Sequence, residues 1–576
     1  MTLSIHRRAT LWGDRTAVVD DDGTAVSYAA LADRAERRAA QLIALGVSRG
    51  DAVAILSRNR IEHLELCVAC RRLGATLAPI SHRLGEPAVT ALGERIDPAV
   101  VVHEERFAAL AGAVAGRGAT DLTIDEFRAS EPTPAEREAV PLDSGPAEPD
   151  AVDESPLLYL HTGGTTGVPK VVVISHRQVE WNAITEIAAW GLGEDDVVPA
   201  LLPLFHVGGW LLLTLPTLYV GGRVLIHREF DPGRALRAIE NHGVTRVFGV
   251  AAIFQAMAAH EDFDATDCST VKWFMSGGGP TPDAVIDAYR ERGQRFVQGY
   301  GLTEGGPNDL YFPPERADEA KATTSVGRPF PDVEARLVDP ETGAVLGGAI
   351  DARGEDAGSR ADGTVQGELE LRGPVTARRY LETTDGTFEG EWVSTGDIAV
   401  RDAEGDYAIT GRTDNMFVSG GENVYPEEIE GALERHPAVA AAGVVPVSHE
   451  RWGQVPKAVV VPEGTDEPTP EALETHLRER LAGFKVPQAW AVAEELPRSG
   501  PGKLDRGALA ENYGERESAA ESDDGANSRP DRSAEQAGNG SKAKSGNDGP
   551  ADKGGSDGPA DNGGSDGPAD NGGDEK

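Results

Sequence analysis

Two apolar runs of strand length, Leu157 to Leu160 and Val171 to Ile174, flank His161-Thr162-Gly163-Gly164-Thr165-Thr166-Gly167-Val168-Pro169-Lys170. Runs this short and this apolar suit buried strands, and the glycines between them predict a tight turn. Glycine lets a backbone approach a ligand closely, and successive N–H groups can form an anion-binding concavity. Threonine hydroxyls add donors, and Lys170 adds a full positive charge. The guest that such a loop suits is a polyphosphate. The usual P-loop pattern is excluded, because Val168 stands five residues after Gly163 and Val171 follows Lys170. Taken alone, the stretch would also serve as a flexible Gly/Thr surface turn, so the rest of the chain has to decide.

Around this hairpin the chain alternates strand and helix patterns. Thr16 to Asp20 and Ala25 to Tyr28 read as a strand pair across Asp21-Asp22-Gly23, with a helix from Tyr28 to about Leu45. Asp51 to Leu56 reads as a strand, Ile61 to Gly74 as a helix and Ala75 to Ile80 as a strand. After the loop come strands at Gly222, Val244, Val271 and Phe296, with helices at Pro232 to His242, Ala251 to His260 and Thr281 to Arg292. Such alternation predicts layered α/β sheets. Between Gly327 and Tyr407, short strands with Gly/Asp turns predict a small antiparallel sheet or barrel. Beyond Gly411-Arg412, a helix from Pro426, strands from Val439 and Lys457 and a helix from Thr469 predict a small α+β domain. The expected domains are 1–413, 414–514 and 515–576. The last is a disordered acidic tail ending in three nine-residue units built on Asp-Gly-Pro-Ala-Asp. Ser130 to Asp153 reads as a surface linker.

The formal charge is −40. Residues 515–576 carry −8 of it, so the folded body holds −32, and only 10 of the 55 basic residues are lysine. An acidic body argues against general nucleic-acid binding, which needs a basic face. It also suits a high-salt cytoplasm, where counterions relieve self-repulsion. A halophilic chain of this kind is expected to resist urea better in molar KCl than in dilute buffer, and equal stability in both would refute that reading. The N-terminus lacks a signal-peptide apolar stretch, and the uncharged run Val197 to Gly222 carries three prolines and four glycines. That run reads as a buried strand, turn and helix rather than a membrane span, so a cytoplasmic location without transmembrane segments is expected. Cys67-Val-Ala-Cys70 with His63 has metal spacing. No second Cys pair follows, and a helix with small apolar residues inside explains the segment better.

Polar clusters fall at the predicted strand ends, where open α/β sheets bind ligands. They are the loop 161–170, Pro203 to Trp210, Ser276 to Pro280, Gly299 to Glu304, Ser394 to Asp397 and Gly411-Arg412. Together they offer an aromatic face, a carboxylate, ribose-type acceptors and phosphate donors. The set, in this order, resembles the acyl-adenylate-forming superfamily of acyl- and aryl-CoA ligases, firefly luciferase and non-ribosomal-peptide adenylation domains. The resemblance spans roughly residues 10 to 510. It rests on Thr162 to Lys170 (with Gly163 where the family has serine), Tyr300-Gly301-Leu302-Thr303-Glu304, Thr395-Gly396-Asp397, Gly421 to Glu430, and Pro497-Arg498 to Gly502-Lys503.

The resemblance implies a two-step ligase that uses ATP, Mg²⁺ and coenzyme A on a small-molecule carboxylic acid, with a homodimer possible. It implies catalytic roles for Lys503, Thr303, Glu304 and His206. Lys503 would bridge the carboxylate and the α-phosphate. Phosphate and nucleotide contacts would come from Thr162, Gly163, Gly164, Thr165, Thr166, Gly167 and Lys170, from Gly277, Gly278, Gly279, Gly299, Tyr300 and Gly301, and from Asp397 and Arg412. Thr166 and Glu304 would hold the metal. Ser419, Gly420, Gly421, Glu422 and Trp452 would meet coenzyme A, with Phe484 and Lys485 as further contacts, and Asp414 would be the hinge. The acid pocket would be formed by His206, Gly208, Gly209, Trp210, Val250 and Ala251. No charged residue in this pocket set meets a second carboxylate. The expected acid is therefore a medium- or long-chain fatty acid, with an aryl acid or 2-succinylbenzoate as the alternative. An enzyme that loads a carrier protein and a catalytically silent homologue are the other readings left open.

Overall fold

The computed structural model describes residues 4–116, 118–141, 154–162, 169–347, 363–382, 387–420, 422–449, 451–464, 467–499 and 503–514. Residues 1–516 make one compact unit, and 517–576, a second unit, lie wholly outside the described residues. The expected tail, the loop residues Gly163 to Val168, and Gly421 fall outside them as well.

The predicted alternation closes into sheets. In the first, Thr120–Thr123, Pro98–His103, Ala52–Leu56, Thr76–Pro79 and Pro156–His161 run parallel, and Val171–Ser175 returns antiparallel at the edge. The hairpin expected around the Gly/Thr loop is therefore real, with His161 opposite Val171 and the Thr162 N–H donating to the Lys170 carbonyl at 2.9 Å. Ten of the eleven residues in its two strands are buried, so both faces are covered, as parallel sheets require. A second sheet orders Ala25–Ser27, Thr16–Val19, Arg223–Ile226 and Val197–Ala200, and a third runs Arg246–Gly249, Trp273–Ser276 and Phe296–Tyr300 in parallel before two short antiparallel strands.

Helix ends follow their caps. Ser27 accepts from the Ala30 N–H at the start of Tyr28–Ala44, and Gly74, at φ +70°, closes Ile61–Leu73. His63, Cys67 and Cys70 lie on that last helix and are buried in it. Burial pushes His63 down to about 3 and Cys67 up to about 12, which suits core residues.

Between residues 328 and 412 the chain forms an antiparallel sheet of six strands, with Val365–Arg372 and Trp392–Arg401 at its centre and Tyr407–Arg412 pairing to the latter. The C-terminal part has the expected helices Pro426–Leu433 and Pro470–Arg478. They pack on a sheet whose long pair, Val439–His449 and Gly453–Pro462, runs further than the sequence suggests. Two expectations change. The run Val197 to Gly222 is a strand followed by two short helices, Val207–Leu211 and Thr214–Tyr219, broken at Leu213 with φ +71°. The expected linker carries a short capped helix, Pro134–Glu138, and 142–153 lie outside the described residues. No helix among the described residues is long and apolar enough to cross a membrane.

The lysines whose side chains are described, five of the ten, are engaged. Lys272 pairs with buried Asp196 at 2.8 Å, Lys321 with Asp406 at 2.6 Å and Asp402 at 2.9 Å, and Lys485 with Glu428 at 2.5 Å. Lys457 is buried, and Lys170 sits 5.0 Å over the Tyr380 ring.

Candidate active site

The loop hairpin is held from the side by a segment distant in sequence. Leu381 N–H donates to the Val171 carbonyl at 2.8 Å and Val173 N–H to the Arg379 carbonyl at 3.2 Å. Gln178 and Arg177, on the helix His176–Trp190, donate to the carbonyls of Val375 and Thr376 at 3.1 and 2.9 Å. This clasp sets Tyr380 beside the hairpin. Its ring carries the Lys170 ammonium, and its O–H donates to Glu304 Oε1 at 2.8 Å. Lys170, Tyr380 and Glu304 therefore form one chain. Tyr380 escapes sequence reasoning, since Arg378-Arg379-Tyr380 carries no local signal of a site.

Glu304 lies on a tightly curled loop after the strand Phe296–Tyr300. The Ala377 N–H donates to its carbonyl at 2.8 Å. At Gly301 a Cβ would lie 1.5 Å from the Pro307 carbonyl oxygen, so no other residue fits there. Beneath the loop, buried Asp309 accepts the Leu302 N–H at 3.1 Å. Burial pushes its carboxyl up to about 8, and the neighbouring Glu304 adds to the rise.

Asp397 and Arg412 stand directly opposite each other on the central antiparallel strands. Arg412 Nη1 donates to Asp397 Oδ1 at 2.7 Å, and Tyr300 O–H donates to Oδ2 at 2.5 Å. The Tyr300 bond ties the third sheet to the antiparallel one. Burial and the Asp397 charge together push the Tyr300 phenol well up, so it stays a donor. A carboxylate accepts about four hydrogen bonds, so Asp397 keeps capacity for hydroxyl donors of a guest.

The predicted acid-pocket residues fall into two groups. His206 caps Val207–Leu211, with its ring 4.7 Å from Phe205 and 6.4 Å from His161. Burial pushes His161 down to about 3, and its Nε2 accepts the Ser81 N–H at 3.0 Å. Trp210 is turned into the core with no exposure, its Nε1 donating to the Leu204 carbonyl, and Gly209 is packed on the Pro203 carbonyl. The role of these two is to hold the wall, not to face an open space. Phe248, absent from the expected set, stands between the segments instead. A Cβ at Gly277 would sit 3.0 Å from its ring, and one at Gly208 would sit 4.0 Å from it. Gly278, at φ +77°, lies against Val250, which starts the helix Ala251–Ala258.

In the C-terminal part, Gly420 N–H donates to the Trp452 carbonyl at 2.9 Å, and Ser419 is buried. Trp452 is 39% exposed with the Arg451 guanidinium 4.4 Å over its ring, and Glu422 is exposed. Lys485 is committed to Glu428, and Phe484 is half-buried. Asp414 sits in the short turn Thr413–Asn415, 81% exposed, and Asn415 donates to Glu427. Lys503 opens the short strand Lys503–Leu504 paired with Arg498–Ser499; its side chain lies outside the described residues. Thr303 is half-buried beside Glu304.

Among the described residues the arrangement sets the Lys170–Tyr380–Glu304 chain and the Tyr300–Asp397–Arg412 cluster at the ends of several strands. The AMP-binding enzyme family matches residues 5–381, and the AMP-binding enzyme C-terminal domain matches residues 428–503. A feruloyl-CoA synthase of an Amycolatopsis species is 35% identical over 511 residues, covering 88% of this chain and 98% of its own. A long-chain-fatty-acid–CoA ligase of Thermus thermophilus is 33% identical over 535 residues, covering 88% and 94%. Among solved structures, O-succinylbenzoate coenzyme A synthetase from Bacillus subtilis, in complex with ATP and magnesium ion, aligns with a TM-score of 0.75 at 26% identity, covering 88% of this chain and 99% of that one.

Proposed function

The chain belongs to the AMP-binding enzyme family, and from that premise we propose that it joins a carboxylic acid to coenzyme A at the expense of ATP, releasing AMP and pyrophosphate. The observation that carries this reading is the convergence of Tyr300, Asp397 and Arg412 with the Lys170–Tyr380–Glu304 chain at the strand ends.

In the first step an acid oxygen attacks the α-phosphorus, a new P–O bond forms, and pyrophosphate leaves with its electron pair. Both reactants are anionic, so positioning and charge stabilisation carry most of the catalysis. The loop 162–170 would supply donors to the leaving pyrophosphate, as its glycines, threonines and lysine suit. Asp397 and Arg412 face the ribose, and Tyr300 lines the adenine side. Lys503 supplies the positive charge between carboxylate and α-phosphate. In the second step the coenzyme A thiolate attacks the acyl carbonyl and AMP departs. Residues 414–514 are the part that moves between the steps, hinged at Asp414, with Ser419, Gly420, Glu422 and Trp452 meeting coenzyme A.

The donor set fits a hard divalent cation. Among the described residues Glu304 presents a carboxylate whose hydrogen bond comes from a neutral phenol, at Oε1. Glu304 and Thr166 would hold Mg²⁺, which supplies charge neutralisation at the phosphates. Tyr380→Phe removes the O–H that orients Glu304 but keeps the ring under Lys170. It is expected to lower kcat/KM about tenfold, as for a hydrogen bond to a charged group, whereas Tyr380→Leu costs more. Equal activity of the Phe variant and the parent would remove the O–H from the mechanism.

The acid carries an apolar tail. The Phe248 ring against Gly208 and Gly277 favours a flat aromatic tail, and the feruloyl-CoA synthase likeness supports it. A medium- or long-chain fatty acid is the second reading, supported by the uncharged pocket set and the Thermus relative. AMP release in molar KCl, with and without coenzyme A, over hydroxycinnamic, arylacetic, fatty and dicarboxylic acids tests both. Coenzyme A–independent AMP release that no acid stimulates would sink the ligase reading.

A further inference from the structure

The helix His176–Trp190 carries two polar side chains one turn apart, Asn182 and Glu186, and both are fully buried. Neither belongs to the site described above. Asn182 Nδ2 donates to the Leu211 carbonyl at 2.6 Å. Glu186 Oε2 accepts the Leu213 N–H at 3.4 Å, and Oε1 accepts from Asn308 Nδ2. Asn308 Nδ2 also donates to Asn182 Oδ1 at 2.8 Å. Among the described residues Glu186 has no ion-pair partner, although a buried carboxylate is costly without one. Burial pushes its carboxyl well up, so a hydrogen-bonding acid rather than a charge occupies the spot.

What these three residues hold is informative. Leu211 ends the helix that begins after His206, and Leu213 is the left-handed break before the next helix. Positive φ is uncommon for a residue with a bulky side chain, and the Leu213 N–H is one of the groups that Glu186 fixes. Between them, Leu212 packs 3.4 Å from where a Gly208 side chain would begin. Asn308, at the other end, lies on the curled loop four residues after Glu304. One buried polar link therefore joins the wall of the acid pocket to the loop that carries Glu304.

We propose that Glu186, Asn182 and Asn308 are positioning residues that set acid specificity, by fixing the break at Leu213 and hence the distance between the His206–Gly208 wall and the Glu304 loop. The inference rests on reading His206 to Leu212 as the acid pocket. Glu186→Ala and Glu186→Leu raise KM for the preferred acid about tenfold, the scale of coupled buried contacts. They shift preference toward bulkier acids and leave KM for ATP within about twofold of the parent. Glu186→Gln stays nearest the parent, within about threefold in acid KM, because its amide keeps the size of the side chain and its oxygen still accepts the Asn308 N–H that also holds Asn182. Asn308→Ser, at the far end of the link, shifts the acid KM in the same direction, and the Glu186→Ala/Asn308→Ser double variant is no worse than the poorer single one.

The measurement is steady-state AMP release by the full chain over acids of graded width, with thermal unfolding run in parallel. KM values for acid and ATP that rise together, an unchanged order of acid preference, or additive single effects would each overturn the proposal. If the alanine variant does not fold, the Asn308→Ser and Glu186→Gln arms decide it alone. Failure of the underlying reading shows separately, as a parent chain with no acid-dependent AMP release.

Discussion

Lys503→Ala is expected to slow acyl-adenylate formation by about 10²–10³-fold, the usual loss when one preorganised stabilising donor is removed from a site of developing charge. Thioester formation from supplied acyl-adenylate should stay near the parent rate. The asymmetry follows from the two steps. Only the first brings two anions together, and only there does a cation between the reacting oxygens lower the barrier. The second step uses a thiolate on an activated acyl group. Lys503 starts a two-residue strand clipped to Arg498–Ser499, which fixes the backbone at the base of the Gly-Pro-Gly-Lys turn. Pyrophosphate exchange reads the first step, and acyl transfer to coenzyme A from synthetic adenylate reads the second. Equal loss in both would refute the assignment and point to a general role for the turn.

Asp397→Asn should lower kcat/KM for ATP by about 10–100-fold, given that hydrogen bonds to charged groups contribute about 1.5–3 kcal/mol each. In the parent, one oxygen takes Arg412 and the other takes Tyr300, from strands of two different sheets. An amide offers one acceptor and one donor. If its oxygen faces Arg412, its nitrogen faces the Tyr300 hydroxyl, which must then accept instead of donate. Arg412 also loses its compensating charge. The change should raise KM for ATP and leave KM for the acid nearly unchanged, because the Asp397 carboxylate bonds to Tyr300 and Arg412, which lie outside the expected acid pocket. Isothermal titration with ATP would check it, and unaltered ATP affinity would count against the ribose role. Tyr300→Phe is a milder companion, since it removes one bond and leaves the Arg412 pair intact.

Much of this site could be read from the residues. The hairpin around 162–170 was legible because its two strands are apolar throughout, which only a doubly covered sheet edge satisfies. Asp397 and Arg412 were legible as separate clusters, and their cross-strand pairing follows from the turn between them. What was not legible depends on contacts distant in sequence. Tyr380 is placed by backbone bonds to Val171 and by side chains of the helix that follows. Phe248 reads as one more apolar residue on a buried strand, and only its place between two glycines 69 residues apart gives it a pocket role. The break at Leu213 could not be found from propensity. Nothing in Leu-Leu-Leu-Thr signals a left-handed residue, and a buried glutamate on another helix is what holds it.

The engagement of the lysines has a chemical consequence. An acyl-adenylate is an acylating agent, and a free amine is its natural victim. An ammonium held in an ion pair has no lone pair to offer. Lys272, Lys321 and Lys485 are each held by carboxylates, Lys457 is buried, and Lys170 rests on an aromatic face. Among the described side chains the amines are few and held, which leaves arginine, a far weaker nucleophile, as the prevailing cation exposed to such an intermediate.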